Sequence, residues 1–212
     1  MLWIILAIII SYLFGSIPTA YIFGRIIKGT DIRKFGSGNV GATNALRLLG
    51  KGWGITVLIL DIFKGFLPVV LFGNILTGRI VIPLDIFCLL VGVSCICGHN
   101  WTIFLGFKGG KGVATTLGVL LGLSVKIAGL KFILILTVLV WLVTFITSRI
   151  ISLASILAAI SFPVFATFLS KSFPVIFVGL LLSIFIILRH KANLQRLILG
   201  KEPRLNFNKT TP

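Results

Sequence analysis

The chain has 212 residues, of which 58% are hydrophobic and only 11% are charged. A soluble domain would carry about 25% charged residues, and a disordered chain would be far less hydrophobic. Both classes are therefore excluded, and a polytopic membrane protein remains. Because one span needs about 20 apolar residues, the chain has room for about seven spans and for no separate soluble domain. We expect one all-α membrane domain over residues 1–212.

Cations far outnumber acids, with 20 Lys and Arg against 4 Asp and Glu and a formal net charge of +16. In a membrane protein such an excess can set the topology, bind anionic lipid headgroups or form a site for a phosphorylated substrate. Nucleic acid is not expected as a partner. Divalent metal sites usually need clustered carboxylates, so no metal site is predicted. The acids are far apart in the sequence: Asp31, Asp61, Asp85 and Glu202.

Apolar runs predict seven transmembrane helices. The first, from Leu2 to Phe23, is too long for the apolar part of a cleavable signal and has no basic segment before it. The fourth, fifth and seventh are short, so they would recruit flanking residues or thin the bilayer. The runs after the first cover residues 53–72, 80–97, 113–125, 132–147, 151–169 and 175–188.

The distribution of Lys and Arg predicts the orientation of the spans. Seven spans place the termini on opposite sides, and the side of the C-terminus holds 15 basic residues against 4 on the other side. Cytoplasmic loops carry the basic excess, so the N-terminus is predicted outside and the C-terminus in the cytoplasm. The polar segments 36–47, 106–112 and 189–196 then share the cytoplasmic face, where they could form one site.

Segment 36–47 contains a G-x-G-x-x-G pattern. A dinucleotide site would need a strand before it, and a membrane span with a basic loop precedes it here, so that class of site is rejected. Gly36 and Gly38 let backbone N–H groups approach an anion, and Arg47 can bind a phosphate through two hydrogen bonds. A tight turn with helix-capping Asn and Thr residues is the alternative, and the pattern favours the anion site. The neutral donors are Ser37, Asn39, Thr43 and Asn44.

Segment 98–112 contains GHNW followed by GFKGGKG. It misses the spacing of an ATPase phosphate loop by one residue, and Gly112 stands where Ser or Thr is needed, so ATP hydrolysis is not expected. The N–H groups at the start of span four still suit an anion, and a flexible basic loop explains the pattern equally well. The sequence leaves three roles for His99: a general base, a hydrogen-bond donor to a phosphate, or a helix cap. The residues that would serve the anion are Lys108, Gly109, Gly110 and Lys111.

Segment 189–202 places His190 and Asn193 three residues apart, so a helix would present both on one face. Both could then belong to the same site. Taken alone, the pattern favours an amphipathic helix that lies on anionic lipid.

Asp61 and Lys64 have the same spacing inside span two. Charges within a membrane are functional candidates by default, but a mutual ion pair is the simpler interpretation. Ser152, at the cytoplasmic start of span six, could donate to a ligand or pack between helices.

Together these segments resemble the PlsY family of bacterial membrane acyltransferases. One departure is visible, because Thr102 follows Trp101 where the family commonly has proline. The change alters loop stiffness and leaves the phosphate-contacting residue types intact. The motifs, in chain order, are GSGNVGATNALR (36–47), DIFKG (61–65), GHNWTIFLGFKGGKGVAT (98–115), SLASI (152–156) and RHKANLQRLILGKE (189–202).

The resemblance implies a seven-span protein of the bacterial plasma membrane with its active site on the cytoplasmic face. The implied reaction transfers a fatty acyl group from acyl phosphate to the 1-hydroxyl of sn-glycerol 3-phosphate. Lysophosphatidate and inorganic phosphate are the products, and this is the first acylation of phospholipid biosynthesis. No metal or coenzyme is expected. The partners are the two substrates and the lipid bilayer, and a monomer is expected.

The resemblance also assigns roles to residues. The expected proton acceptor is a phosphate oxygen of the donor, with His190 as the alternative base. The expected catalytic residues are Ser37, Arg47, Lys111, His190 and Asn193. The expected phosphate-binding residues are Gly36, Gly38, Asn39, Thr43, Asn44, Lys108, Gly109, Gly110 and Ser152. The expected supporting residues are His99, Asp61 and Lys64.

Other classes fit the sequence less well. Acyltransferases with an H-x-x-x-x-D motif are disfavoured, because Phe104 lies five residues after His99 and Gln195 five after His190. An anion transporter would bind near the midplane of repeated, broken helices, and no internal repeat is evident in the sequence. A structural lipid-binding protein would explain the charge but not the glycine-rich segments.

Overall fold

The computed structural model describes residues 1–170 and 172–205. Two residues counted in the predicted orientation, Lys171 and Lys209, lie outside the described residues. Ten α-helices and two short 3-10 turns, at Ile32–Lys34 and Ile103–Leu105, make up the regular structure of the described ranges. The helices are α1 (Leu2–Ser16), α2 (Thr19–Lys28), α3 (Ala42–Leu49), α4 (Lys51–Ile75), α5 (Leu84–Asn100), α6 (Val113–Lys126), α7 (Leu130–Ser148), α8 (Ile151–Leu169), α9 (Phe173–Arg189) and α10 (Lys191–Ile198).

Helical architecture and several membrane spans are confirmed, whereas the count of seven stays a prediction. Within the described residues, five stretches are long and apolar enough to cross a membrane, and a sixth is the pair α9 and α10, which is bent by 65°. The predicted fourth span corresponds to α6, whose 14 residues extend only about 21 Å against a hydrocarbon core of about 30 Å. The orientation also stays a prediction.

The described chain forms two compact units, one of residues 1–126 and one of residues 127–170 and 172–205. In the first unit α4 packs on α6, and α1 packs on α5. Glycine makes this close approach possible, because a Cβ on Gly118 would lie 1.9 Å from the carbonyl oxygen of Ile62, and one on Gly98 would lie 2.1 Å from that of Tyr12. Small residues let membrane helices pack backbone to backbone. This packing fixes the end of α5 and the start of α6, which hold the second glycine-rich loop between them.

The predicted ion pair in span two is confirmed. Lys64 Nζ lies 2.8 Å from Asp61 Oδ1, and both side chains are buried. The hydroxyl of Thr19 also donates to Asp61 Oδ1 at 2.5 Å, and Lys64 Nζ donates to the carbonyl oxygen of Ile17 at 2.8 Å. Ile17 and Pro18 separate α1 from α2, where the first span leaves backbone carbonyls without helical partners. The ion pair therefore ties the break in the first span to α4.

The second unit contains α7, α8, α9 and α10, with α8 packed between α7 and α9. The side chain of Phe162 lies against Gly179, at 2.8 Å from the position of a Cβ there. The hydroxyl of Ser183 donates to the carbonyl oxygens of Ala159 and Gly179, the second bond being 2.9 Å long. These contacts set the end of α9, where the chain bends at His190 into α10.

Candidate active site

The first glycine-rich loop is held together by the side chain of Asn44. This residue is fully buried in α3, and its Nδ2 donates to the carbonyl oxygens of Ile32 at 3.1 Å and Phe35 at 2.9 Å. Its Oδ1 accepts the backbone N–H of Ser37 at 3.1 Å. Gly36 is in the left-handed region with φ of +55°, where a side chain would be strained. The amide of Asn44 is thus committed to the loop backbone, and this residue shapes the loop that carries Ser37.

Arg47 lies one turn after Asn44 on α3, and its aliphatic stem crosses the same loop. Its Cδ is 3.8 Å from the position of a Cβ on Gly36. Three of the predicted residues are half-buried, namely Asn39, Thr43 and Arg47, and Ser37 is exposed. The hydroxyl of Ser37 accepts the N–H of Asn39 at 3.5 Å. One helix and one loop therefore gather most of the residues predicted from the first motif.

The second glycine-rich loop folds back onto the end of α5. The N–H of Gly109 donates to the carbonyl oxygen of Asn100 at 3.2 Å, and the N–H of Gly110 donates to that of His99 at 3.0 Å. These two N–H groups satisfy the last carbonyls of α5, and phosphate binding by Gly109 and Gly110 stays a prediction. The start of α6 and the lysine side chains stay the predicted groups for an anion in this loop. Lys111 is half-buried and Lys108 is exposed.

The two glycine-rich loops meet at Gly110. A Cβ on this residue would lie 2.8 Å from the carbonyl oxygen of Val40 and 2.1 Å from Nε2 of His99. The other ring nitrogen of His99, Nδ1, is 3.8 Å from Asp61 Oδ1. The buried imidazole thus lies between the ion pair in α4 and the junction of the loops. The structure therefore brings the two glycine-rich motifs together. The three expected supporting residues lie next to this junction: His99, Asp61 and Lys64.

In the second unit the carboxylate of Glu202 gathers three side chains. Its Oε1 accepts from the hydroxyl of Ser152 at 2.7 Å and from Nδ2 of Asn193 at 2.5 Å, and its Oε2 accepts from Nε of Arg196 at 2.7 Å. Burial opposes ionisation of Glu202, but these hydrogen bonds hold its pKa below the ordinary value. Sequence reasoning missed this role. The signal was a single acid at the end of a segment rich in basic residues and amides.

His190 ends α9 and precedes α10, and it is buried. Its Nδ1 lies 2.7 Å from the carbonyl oxygen of Ile186. Because a carbonyl oxygen can only accept, this hydrogen bond requires a proton on Nδ1. The carbonyl oxygen of His190 accepts the N–H of Leu194 at 2.9 Å, which starts α10 and sets the direction of Asn193.

Comparisons with known proteins agree over nearly the whole chain. The family profile described as Glycerol-3-phosphate acyltransferase matches residues 5–200. The glycerol-3-phosphate acyltransferase of Prochlorococcus marinus strain NATL2A is 43% identical over 205 residues, covering 95% of this chain and 98% of that protein. The enzyme of the same name from Desulforudis audaxviator is 42% identical over 208 residues, covering 97% and 98%.

Solved structures agree as well. The crystal structure of PlsY, an integral membrane glycerol 3-phosphate acyltransferase in its glycerol 3-phosphate form, superposes with a TM-score of 0.84 at 37% identity. It covers 96% of both chains. The lysophosphatidic acid form of the same protein gives a TM-score of 0.81 at 37% identity. With the glycine-rich loops and the buried helices that hold them, these matches show that the chain belongs to the glycerol-3-phosphate acyltransferase family of the PlsY type.

Proposed function

We propose that this protein transfers a fatty acyl group from acyl phosphate to the 1-hydroxyl of sn-glycerol 3-phosphate. The products are lysophosphatidate and inorganic phosphate, and the reaction is the first acylation of phospholipid biosynthesis. The observation that carries the proposal is the junction of the two glycine-rich loops at Gly110, with Arg47 on the helix that follows the first loop and Lys111 on the second loop. The family membership supports glycerol 3-phosphate as the acceptor.

Both substrates carry a phosphate, so cations and oriented donors can hold them together. The guanidinium of Arg47 suits a phosphate because it offers two parallel N–H groups. Lys111 adds a charge at the start of α6, where unpaired N–H groups favour an anion. Ser37, Asn39, Thr43 and Lys108 are proposed as further contacts. Positioning and electrostatic stabilisation are expected to supply most of the rate.

In the chemical step, the 1-hydroxyl oxygen attacks the carbonyl carbon of the acyl phosphate. The bond between that carbon and the phosphate oxygen breaks, and phosphate leaves with the bonding electron pair. A phosphate oxygen of the donor takes the hydroxyl proton, which needs no base from the protein. His190 is the alternative base, and Nε2 would be the nitrogen that accepts the proton. The reaction is proposed to need no metal, and no three of the described His, Cys, Asp and Glu residues are grouped as metal ligands.

We further propose that His190 and Asn193 serve the same reaction, with Ser152 beside them. The bond from Asn193 and that from Ser152 to Glu202 support a role in which the carboxylate orients both side chains. The site is proposed to face the cytoplasm of a bacterial cell, in the plasma membrane. The basic excess on one side of the spans supports this, and a monomer is the expected state.

The decisive experiment measures phosphate release by the purified protein in lipid, with palmitoyl phosphate and glycerol 3-phosphate, each alone and together. Release that requires both substrates, survives EDTA and yields lysophosphatidate is the expected result. Absence of release from a folded sample would reject acyl phosphate as the donor. Anion flux into liposomes would then become the next measurement, because it tests the transporter alternative.

The variant His190→Gln separates the two routes for the proton. If the donor phosphate accepts the proton, the variant raises the KM and keeps most of the turnover rate. A lost turnover rate with unchanged substrate affinity would identify His190 as the base.

A further inference from the structure

Asn100 is an anomaly in the packing of the first unit. Its side chain is 0% exposed, and neither Nδ2 nor Oδ1 has a hydrogen-bond partner among the described residues. Buried amides are almost always paired, so an unpaired one needs an explanation. Within the described part of the chain, the other buried side-chain N and O atoms without a partner are the hydroxyls of Thr115 and Thr116, in the first turn of α6. The unpaired groups thus all belong to the end of α5 or the start of α6.

The amide of Asn100 lies directly against Gly112. A Cβ on Gly112 would be 2.6 Å from Oδ1 and 3.2 Å from Nδ2. Gly112 has φ of +78°, and its carbonyl oxygen accepts the N–H of Thr116 at 2.7 Å, which begins α6. The Asn100 amide, which both donates and accepts, therefore lies beside the Cα of Gly112, to which both flanking peptide groups are bonded. Glycine at position 112 lets these peptide groups adopt backbone angles that other residues rarely reach.

We propose that Asn100 is a positioning residue that couples the conformation of the Gly109–Gly112 loop to phosphate binding. Rotation of a peptide group beside Gly112 gives the buried amide a backbone partner, and the rotated loop is the form that holds the phosphate. Binding then shifts the loop toward that form, because the ligand has the higher affinity for it. The inference rests on the proposed function, since it concerns the same phosphate.

Asn100→Leu tests this, because leucine has nearly the shape of asparagine and no polar atoms. Replacing an unpaired buried amide by an apolar group of the same shape is neutral or stabilising. The ligand-free variant is expected to unfold in detergent about 2–4 °C higher than the wild type. Its KM for glycerol 3-phosphate is expected to rise about 10-fold with kcat within about 2-fold, the pattern of lost binding rather than lost chemistry. A residue that only supports the fold would lower stability and activity together.

Thr115→Val is the matched control. It also removes an unpaired buried hydroxyl without changing shape, but the backbone of Thr115 lies against Gly65 of α4. We expect unchanged or higher stability and an unchanged KM. Asn100→Ala repeats the KM measurement with a side chain that adds no bulk.

Several results would overturn the proposal. A lower unfolding midpoint for Asn100→Leu would mean that the amide is already satisfied, for example by a buried water. An unchanged KM would mean that the amide does not act on the loop. Thermal unfolding with added inorganic phosphate tests the proposal without turnover. Phosphate should raise the unfolding midpoint of the wild type more than that of Asn100→Leu. If phosphate stabilises the wild type more than Asn100→Leu but the wild type shows no acyl transfer, the proposed function fails and the role of Asn100 stands.

Discussion

Replacing Glu202 by alanine measures how strongly the second unit depends on one carboxylate. The side chain of Glu202 is 6% exposed and accepts hydrogen bonds from Ser152 on α8 and from Asn193 and Arg196 on α10. Alanine would leave three donors without their acceptor. Leaving a buried donor unpaired costs about 1–3 kcal/mol. Ser152 and Asn193 are both buried, so the loss of their two hydrogen bonds amounts to about 2–6 kcal/mol.

Arg196 adds little to this sum. Its side chain is 39% exposed, so water can replace the carboxylate there. For a chain of this size, a loss of about 2–6 kcal/mol lowers the unfolding midpoint by about 4–24 °C. Thermal unfolding in detergent, followed by circular dichroism, measures the shift. Glu202→Gln is the matched control, because it keeps an acceptor oxygen at the same place and should lose less than half as much.

The pH dependence provides an independent check. The pKa of Glu202 is lowered in the folded protein, so the carboxylate stabilises the fold above its ordinary pKa of about 4.3. This contribution is lost as the pH falls through the lower folded pKa. The difference in stability between wild type and Glu202→Ala should therefore be constant near neutral pH and shrink in acid. A difference that is absent at pH 7, or that grows in acid, would refute the reasoning.

Three further predictions concern the first unit. Gly118→Ala should lower the free energy of unfolding by about 1–3 kcal/mol, because its Cβ would meet the Ile62 carbonyl. Gly52→Ala is the control: the space around Gly52 is open, so the free energy of unfolding should rise by up to about 1 kcal/mol. Asn44→Ala should cost about 2–4 kcal/mol and reduce acyl transfer even below the unfolding transition, because it frees the loop of Ser37; full activity in the folded variant would contradict this. Arg47→Lys keeps the charge but loses the planar fork, so kcat/KM for glycerol 3-phosphate should fall about 10- to 100-fold, and wild-type kinetics would show that the two N–H groups are not used together.

Composition and periodicity determined the class of this protein. An apolar content of 58% with 11% charge, gathered into long apolar runs, indicates membrane helices, because a helix pairs its own backbone groups and a bilayer offers them no other partners. The spacing of Asp61 and Lys64 predicted their ion pair, since residues three apart on a helix are neighbours. The glycine-rich motifs likewise marked the loops that meet at Gly110. These are local properties, and local properties can be read along a chain.

Tertiary structure decided which groups in those motifs are already occupied. The amide of Asn44 could donate a hydrogen bond to a phosphate, but it donates to backbone carbonyls 9 and 12 residues away. The N–H groups of Gly109 and Gly110 donate to carbonyls at the end of α5. Glu202 contacts Ser152 from 50 residues away, and the unpaired amide of Asn100 is visible only when every neighbour is placed. A hydrogen bond depends on distance and direction, and neither is encoded in the spacing of residues that meet only after folding. The sequence by itself therefore determined the helices and the chemistry available to the site, and the packing of the helices decided which of those groups remain to act on a substrate.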